Sequence, residues 1–242
     1  MKIVLILFLS LQLLFSNSCD KKSFKIAIDV GHSFKRVGAV SASGKSEYLF
    51  NYRLANEFNK ALKNNGFKNI LFINKEKKEL PLLKRCDLAN RNNANLFISL
   101  HHDSVQEKYL SYEKVNGKKR HFSNKFSGYS IFYSNKNPKE KESISFAKIL
   151  ADELLEKGFT PTSHHAEKIK GENRDLIDKK RGVYNFPDLI VVKRTNMPAV
   201  LFEAGIIVNK KEEKNLEKRE YRKKIIDSLI NSVESFCVKN KN

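Results

Sequence analysis

The chain has 242 residues, of which 40% are hydrophobic and 30% are charged, a composition that excludes a disordered or fibrous protein and suits one compact domain. Its 46 Lys and Arg residues outnumber its 27 Asp and Glu residues and give a formal net charge of +19, so the protein should attract anionic partners. The lysines are scattered and no stacking-aromatic motif accompanies them, which argues against nucleic acid as the partner.

The first residues have the pattern of a secretory signal peptide, which we assign to 1–18. Lys2 precedes the uncharged apolar run 3–15, which is shorter than the ~20 residues needed to cross a bilayer. We therefore expect export to the periplasm or cell envelope, cleavage before Cys19 and a short mature segment at 19–23. Two alternatives stay open: an uncleaved anchor, and a lipid on Cys19 that attaches the protein to a membrane.

The chain contains three cysteines. Outside the cytoplasm, Cys86 and Cys237 could form a disulfide. Each lies on an apolar helical stripe, however, and buried free cysteine is the interpretation that this position favours.

A catalytic domain is expected at 24–238, where short apolar runs alternate with helical patterns. Most of these runs are continuous, which indicates strands that are covered on both faces. The predicted strands are 24–30, 69–73, 96–100, 129–133, 189–192 and 199–202. Apolar stripes predict helices at 50–62, 82–93, 144–155 and 221–237. The sequence thus predicts a single α/β domain with an at least partly parallel central sheet flanked by helices.

Two segments, 104–127 and 160–180, interrupt this alternation and are interpreted as insertions. Loops of this length are often lids or binding loops when they are ordered, and solvated mobile loops are the alternative. We interpret three histidines inside the insertions, His121, His164 and His165, as solvated.

Residues that bind metals cluster at the ends of predicted strands. His32 follows the first strand, His101 and His102 end the third, and Glu47 opens the first helix. Two His and one Glu are a known ligand set for a hydrolytic zinc ion with one open position. Neighbours in an extended strand point to opposite faces, so only one of His101 and His102 should face this site. The spacing does not say which one.

Glu203 follows the last predicted strand and lies between two apolar segments, 198–202 and 204–207. Burial of an unpaired carboxylate is costly, so this side chain needs a partner, a proton or a polar cleft. A position beside a metal site would satisfy this need and give Glu203 the role of general base. Asp29, at the end of the first strand, could orient a ligand His or cap the strand.

Further motifs occur in a fixed order along the chain. They are Asp29-x-Gly31-His32, Gly38-Ala39, Glu47, Arg85-x-x-x-Ala89-Asn90, Phe97-Ile98-Ser99-Leu100-His101, and Pro198-Ala199-Val200-Leu201-x-Glu203-x-Gly205 with Asn209. In this combination, the sequence resembles the zinc-dependent N-acetylmuramoyl-L-alanine amidases, which are bacterial cell-wall enzymes. The resemblance covers about residues 24–236.

The resemblance implies an α/β fold with a six-stranded sheet and one Zn²⁺ per chain on His32, Glu47 and His101, and so selects His101 over His102. It implies that Glu203 is the catalytic acid and base. The implied reaction is hydrolysis of the amide bond between N-acetylmuramic acid and L-alanine in peptidoglycan, during cell-wall remodelling or cell separation. The segment 104–127 is then a candidate inhibitory lid that an activator protein would move.

Two alternative functions remain at this point. One is a related zinc peptidase that cuts another amide bond of the wall. The other is a wall-binding protein that has lost catalysis.

Overall fold

The computed structural model describes residues 18–74, 79–115 and 117–240. The predicted signal peptide, 1–18, lies outside these ranges except for its last residue. No helix within them is long and apolar enough to cross a membrane.

The described residues form one mixed sheet of seven strands and a separate hairpin. The sheet strands are β1 (Ile26–Val30), β2 (Ile70–Ile73), β3 (Leu96–Asp103), β6 (Ser130–Tyr133), β7 (Asp175–Asp178), β8 (Val183–Asn185) and β9 (Ala199–Ile206), and the hairpin consists of β4 (Ser111–Val115) and β5 (Lys118–Phe122). The strand order is β2-β1-β3-β9-β6-β8-β7. Strands β2, β1, β3 and β9 are parallel neighbours, whereas β6 is antiparallel to β9.

Six helices, also counted within the described ranges, complete the domain. They are α1 (Glu47–Asn64), α2 (Leu82–Arg91), α3 (Glu140–Glu156), α4 (Ile190–Lys193), α5 (Lys210–Glu217) and α6 (Arg219–Lys239). One apolar cluster joins Ile28 of β1 to α1, α3 and α6, while Phe97 of β3 belongs to a second cluster with α2 and α4. The central strands are therefore covered by helices on both faces, and the predicted α/β class is confirmed.

The edge beyond β9 differs from the sequence prediction. The segment predicted as a strand at 189–192 contains the short helix α4, so that prediction is wrong: an apolar run of four residues suits a buried helical turn as well as a strand. The sheet gains β7 and β8 in its place. Strand β8 has three residues and β7 alternates exposed and half-buried positions, so neither produces a long apolar run.

Helix α5 is missing from the sequence prediction because its surface is almost entirely charged. Its start is nevertheless marked by Asn209, whose side-chain oxygen accepts hydrogen bonds from the backbone N–H groups of Lys211 (3.0 Å) and Glu212 (3.1 Å). This is an N-cap, the signal by which a polar helix can be recognised in sequence.

The cysteine prediction is half wrong. Cys237 forms a disulfide with Cys19, across a sequence separation of 218 residues, while Cys86 is free and buried as expected. The helical stripe does bury Cys237, but the N-terminal segment packs against α6 at this position and brings Cys19 to it. A sulfur that forms this disulfide cannot also carry a lipid, so the disulfide and the lipid-modified form of Cys19 exclude each other.

We predict that Cys237→Ser lowers the free energy of unfolding by about 2–5 kcal/mol, because the cross-link restricts the unfolded chain across a long loop. The measurement is thermal unfolding of the mature protein with and without reductant. Wild-type protein should lose stability in reductant, while Cys237→Ser should be insensitive to it. Cys86→Ser serves as the control that keeps the reductant effect. Equal melting temperatures for wild-type protein in both conditions would contradict the prediction.

Candidate metal centre and active site

His32 lies in the loop that follows β1 and has an unusual backbone conformation. Its φ is +64°, in the left-handed region where a side chain costs energy, and such strain is often found at functional sites. The carbonyl oxygen of His32 accepts hydrogen bonds from Asn74 Nδ2 (2.9 Å) and Arg85 Nη2 (3.1 Å). Arg85 also donates to the carbonyl of Val30 (2.8 Å). The buried Arg85 therefore holds this loop in place.

Glu47 is the first residue of α1 and is almost fully buried. Its Oε2 accepts a hydrogen bond from the backbone N–H of Ala39 (3.0 Å), and its Oε1 accepts one from Asn51 Nδ2 (3.0 Å). Burial would raise the pKa of the Glu47 carboxyl, but hydrogen bonds from His101 and His32 hold this pKa well below its usual value. The side chain is therefore a fixed anion at the start of a helix, where the helix dipole also favours it.

The structure brings the three predicted ligands together. Oxygens of Glu47 lie 3.1 Å from His32 Nε2 and 3.1 Å from His101 Nδ1, and the candidate ligand atoms of all three residues lie within 4.8 Å of one another. His102 points away, as strand alternation requires. It is buried with Nδ1 2.7 Å from Asn51 Oδ1, and burial lowers its pKa to about 3.

Two glycines of the sequence motifs leave room for this cluster. A Cβ on Gly31 would lie 2.4 Å from ring atoms of His101, and a Cβ on Gly38 would lie 2.3 Å from Glu47 Oε2. Gly38 also has a φ of +74°, which favours glycine. Two imidazoles and one carboxylate that converge in this space form a donor set suited to zinc.

Glu203 lies on β9 directly opposite His101 of β3 in the strand register. Its Oε2 is shielded from solvent and has no hydrogen-bond partner among the described residues. Burial raises the pKa of Glu203 well above its usual value, and the nearby carboxylates of Asp103 and Glu47 raise it further. Of the three ways to accommodate Glu203, a direct partner for Oε2 is therefore absent among the described residues, and the raised pKa favours the protonated carboxyl.

Asp29 is buried, and its side chain joins β1 to β3. Its Oδ2 accepts a hydrogen bond from Ser99 Oγ (2.8 Å), and Arg85 Nη1 lies 3.4 Å from Oδ1. Within the described ranges, no hydrogen bond joins Asp29 to either candidate His ligand. Of the two roles considered for Asp29, these contacts favour the structural one.

A cavity of about 880 Å³ opens beside the cluster and is lined by His32, His101 and Arg85, among others. A smaller cavity of about 170 Å³ is lined by Glu203, and the two cavities share Leu189 and Leu201 in their walls. The candidate ligands and Glu203 therefore line two neighbouring cavities that have part of their walls in common.

The two insertions differ in their relation to these cavities. The described part of 104–127, which includes the β4–β5 hairpin, lines neither of them. The segment 160–180 does, through residues of the smaller cavity, namely His165, Gly171, Glu172 and Arg174.

The interpretation of His164 and His165 as solvated is wrong, although His121 is exposed as expected. The side chains of His164 and His165 are 1% and 12% exposed, and their Nε2 atoms lie 3.3 and 2.8 Å from Asp103 Oδ2. Burial lowers the pKa of His165, but Asp103 and Glu172 outweigh it and raise this pKa to about 9. Because the segment 160–180 is mostly polar, its sequence does not predict the contact of these histidines with Asp103. The one feature that points to it is the adjacent His pair.

An α/β sheet that gathers two His and one Glu beside a spare carboxylate at its carboxyl edge defines a candidate metal-dependent hydrolase. The chain belongs to the N-acetylmuramoyl-L-alanine amidase family (Amidase_3), whose model matches residues 26–235. This family membership confirms the resemblance found in the sequence and assigns the protein to the peptidoglycan amidases.

Individual relatives agree with this family. A protein of Buchnera aphidicola subsp. Acyrthosiphon pisum, described as a putative N-acetylmuramoyl-L-alanine amidase, is 26% identical over 246 residues. The match covers 90% of this chain and 97% of the Buchnera protein. The N-acetylmuramoyl-L-alanine amidase AmiA of Escherichia coli is 25% identical, with 87% of this chain and 75% of AmiA covered. Among solved structures, the amidase Ami1 of Mycobacterium smegmatis superposes with a TM-score of 0.70 at 18% identity, over 90% of this chain and 99% of Ami1. That likeness supports the fold.

We predict that Gly38→Ala weakens zinc binding at least ~10-fold, the scale of disrupted support around a metal ligand, because the new methyl group would displace Glu47 and His32. Gly158→Ala is the matched control. Gly158 also has a positive φ (+82°), but a Cβ added to it would meet no other atom within 4 Å, so this change should cost about 1–2 kcal/mol of stability and leave zinc affinity unchanged. Isothermal titration with zinc compares the two variants, and equal affinities would contradict the prediction.

Proposed function

We propose that the protein hydrolyses the amide bond between N-acetylmuramic acid and L-alanine in peptidoglycan, with one zinc ion held by His32, Glu47 and His101. The observation that carries this proposal is the Glu203 carboxyl, whose Oε2 is shielded from solvent without a partner among the described residues and which lies opposite His101 in the sheet. A carboxyl in this position can exchange a proton with a reacting group in the cavity.

A zinc ion bound at this site would supply Lewis acidity for the substrate carbonyl and the attacking water. The protein contributes the positions of the groups around it. Arg85 holds the His32 loop, Asn51 and the Ala39 N–H hold Glu47, and these contacts fix the ligands before substrate arrives. Such preorganisation reduces the cost of arranging them during the reaction.

Glu203 acts as the general base and then as the general acid. As water adds to the carbonyl carbon, Glu203 accepts the proton that the water loses. It then delivers this proton to the nitrogen of L-alanine as the carbon–nitrogen bond breaks. The raised pKa of Glu203 suits the first step, because a carboxylate with a high proton affinity is a stronger base towards the water, and delivery of the proton to nitrogen then restores the carboxylate for the next turnover.

The charge of the protein supports an anionic wall substrate. Besides its net charge of +19, the chain places Lys35 in the wall of the larger cavity, together with Arg36, which forms an ion pair with Glu79 of the same wall. Positive groups along a cleft increase the local concentration of anionic polymers. The proposed partner is therefore peptidoglycan.

The proposed setting is the periplasm or cell envelope, where the enzyme would act in cell-wall remodelling or cell separation. The Cys19–Cys237 disulfide supports this setting, because disulfides persist in oxidising compartments. A partner protein that activates the enzyme is part of the proposal. One relative, the CwlD amidase of Clostridioides difficile, has a structure in complex with the GerS lipoprotein; it covers 88% of this chain at 20% identity with a TM-score of 0.66.

We predict that His101→Ala loses hydrolysis and the zinc ion of the site formed by His32, Glu47 and His101, whereas His102→Asn keeps both. Asparagine at position 102 can still donate a hydrogen bond to Asn51 Oδ1, because its Nδ2 takes the place of histidine Nδ1. Elemental analysis of the purified variants gives their zinc content. A zinc content lowered by one ion per chain in His102→Asn but unchanged in His101→Ala would show that His102, and not His101, is the ligand.

We also predict that Glu203→Gln keeps the fold and the zinc but lowers amide hydrolysis by at least ~10²-fold, the scale of losing a general acid and base. Glutamine has nearly the same shape but cannot take up the proton. Zinc content, melting temperature and stem-peptide release are measured on one preparation. Loss of zinc would make Glu203 a ligand, a large fall in melting temperature with activity kept would make it a structural residue, and near-normal turnover would remove it from the mechanism.

A further inference from the structure

A second group of metal-binding side chains lies where the insertion 160–180 meets the end of β3. Asp103 Oδ2 lies 2.8 Å from His165 Nε2 and 3.3 Å from His164 Nε2. The three candidate ligand atoms lie within 4.8 Å of one another, in the same compact arrangement as the cluster of His32, Glu47 and His101. The two groups share no residue.

The outer nitrogens of both histidines are held by the protein. His164 Nδ1 lies 2.8 Å from Thr162 Oγ1, and His165 Nδ1 lies 2.8 Å from Glu172 Oε2. Gln106 Nε2 in turn donates to Glu172 Oε1 (2.8 Å). Metal-binding histidines typically have this arrangement, with one nitrogen on the ion and the other hydrogen-bonded to a polar group that fixes the ring.

Hydrogen bonds do not satisfy every buried polar atom of this group. His165 contacts Asp103 and Glu172 through its two ring nitrogens, but His164 is almost fully buried and its Nε2 has no hydrogen-bond partner within the described part of the chain. It lies 3.3 Å from Asp103 Oδ2 without forming a hydrogen bond. A buried nitrogen without a partner is destabilising, and a cation between these three side chains would remove that cost.

We propose that Asp103, His164 and His165 bind a second divalent metal ion of the zinc class. Two imidazoles and one carboxylate form the same type of donor set as the first cluster and favour zinc over magnesium or calcium, which prefer oxygen ligands. An ion here connects β3 to the insertion 160–180. It thereby fixes the wall of the smaller cavity that His165 shares with Glu203.

This assignment does not depend on the amidase reaction, and zinc stoichiometry tests it directly. The mature protein is stripped with chelator, dialysed against micromolar zinc and analysed for bound metal. Wild-type protein should hold two zinc ions per chain. His165→Gln and Asp103→Asn should each hold one, and so should the double variant His32→Ala/His101→Ala, whose remaining ion is lost when His165→Gln is added.

His121→Gln is the matched control, because His121 lies exposed in the other insertion and its replacement should leave two ions. Asp103 is close in sequence to His101, so His165→Gln tests the second site without changing β3 near the first. Melting curves with and without zinc verify folding, and zinc should raise the melting temperature of the double variant.

The stoichiometries separate failure of this site from failure of the first. One zinc per wild-type chain that disappears in His32→Ala/His101→Ala and persists in His165→Gln would overturn the second site and leave the proposed amidase centre intact. One zinc that persists in His32→Ala/His101→Ala and disappears in His165→Gln would support the second site and overturn the first.

Discussion

The buried carboxylate of Glu47 is the contact on which the active site depends. A charge in this position loses its hydration and must be compensated by hydrogen bonds and opposite charge. The compensation comes from His32 after β1, His101 at the end of β3, the Ala39 N–H in the loop before α1, and Asn51 in α1 itself. One carboxylate therefore connects three separate segments of the chain, and the glycines at positions 31 and 38 leave the space in which these segments can meet.

The sheet supplies the other half of the site. Because β3 and β9 are parallel and in register at His101 and Glu203, the candidate ligand and the candidate base are neighbours without any loop to hold them. Helices cover both faces of these strands, so Glu203 is in a low-dielectric environment where its protonated form is favoured. The same packing that makes the fold stable therefore prepares the side chain for proton transfer. The covering insertion 160–180, with its own polar cluster around Asp103, forms the adjacent wall.

Features set by local pattern could be predicted from the sequence, and features set by distant contacts could not. The central strands and the four long helices have continuous apolar runs or stripes, and the motif order identifies the family; the choice of His101 over His102 needs that resemblance. Strand β8 is too short to leave a pattern, and α4 has the apolar composition of a strand. The pairing of Cys19 with Cys237 spans 218 residues, and the burial of His164 and His165 depends on an acid, Asp103, that lies 61 and 62 residues away in the chain.

The most direct test of the proposed function is the identity of the products released from purified peptidoglycan, determined by mass spectrometry. Zinc-loaded protein should release stem peptides that begin with a free L-alanine amino group and leave glycan strands with intact N-acetylmuramic acid. Removal of metal with a chelator should stop this release, and added zinc should restore it. Peptides cut between amino acids, shortened glycan strands, or no products from folded and zinc-loaded protein would contradict the account.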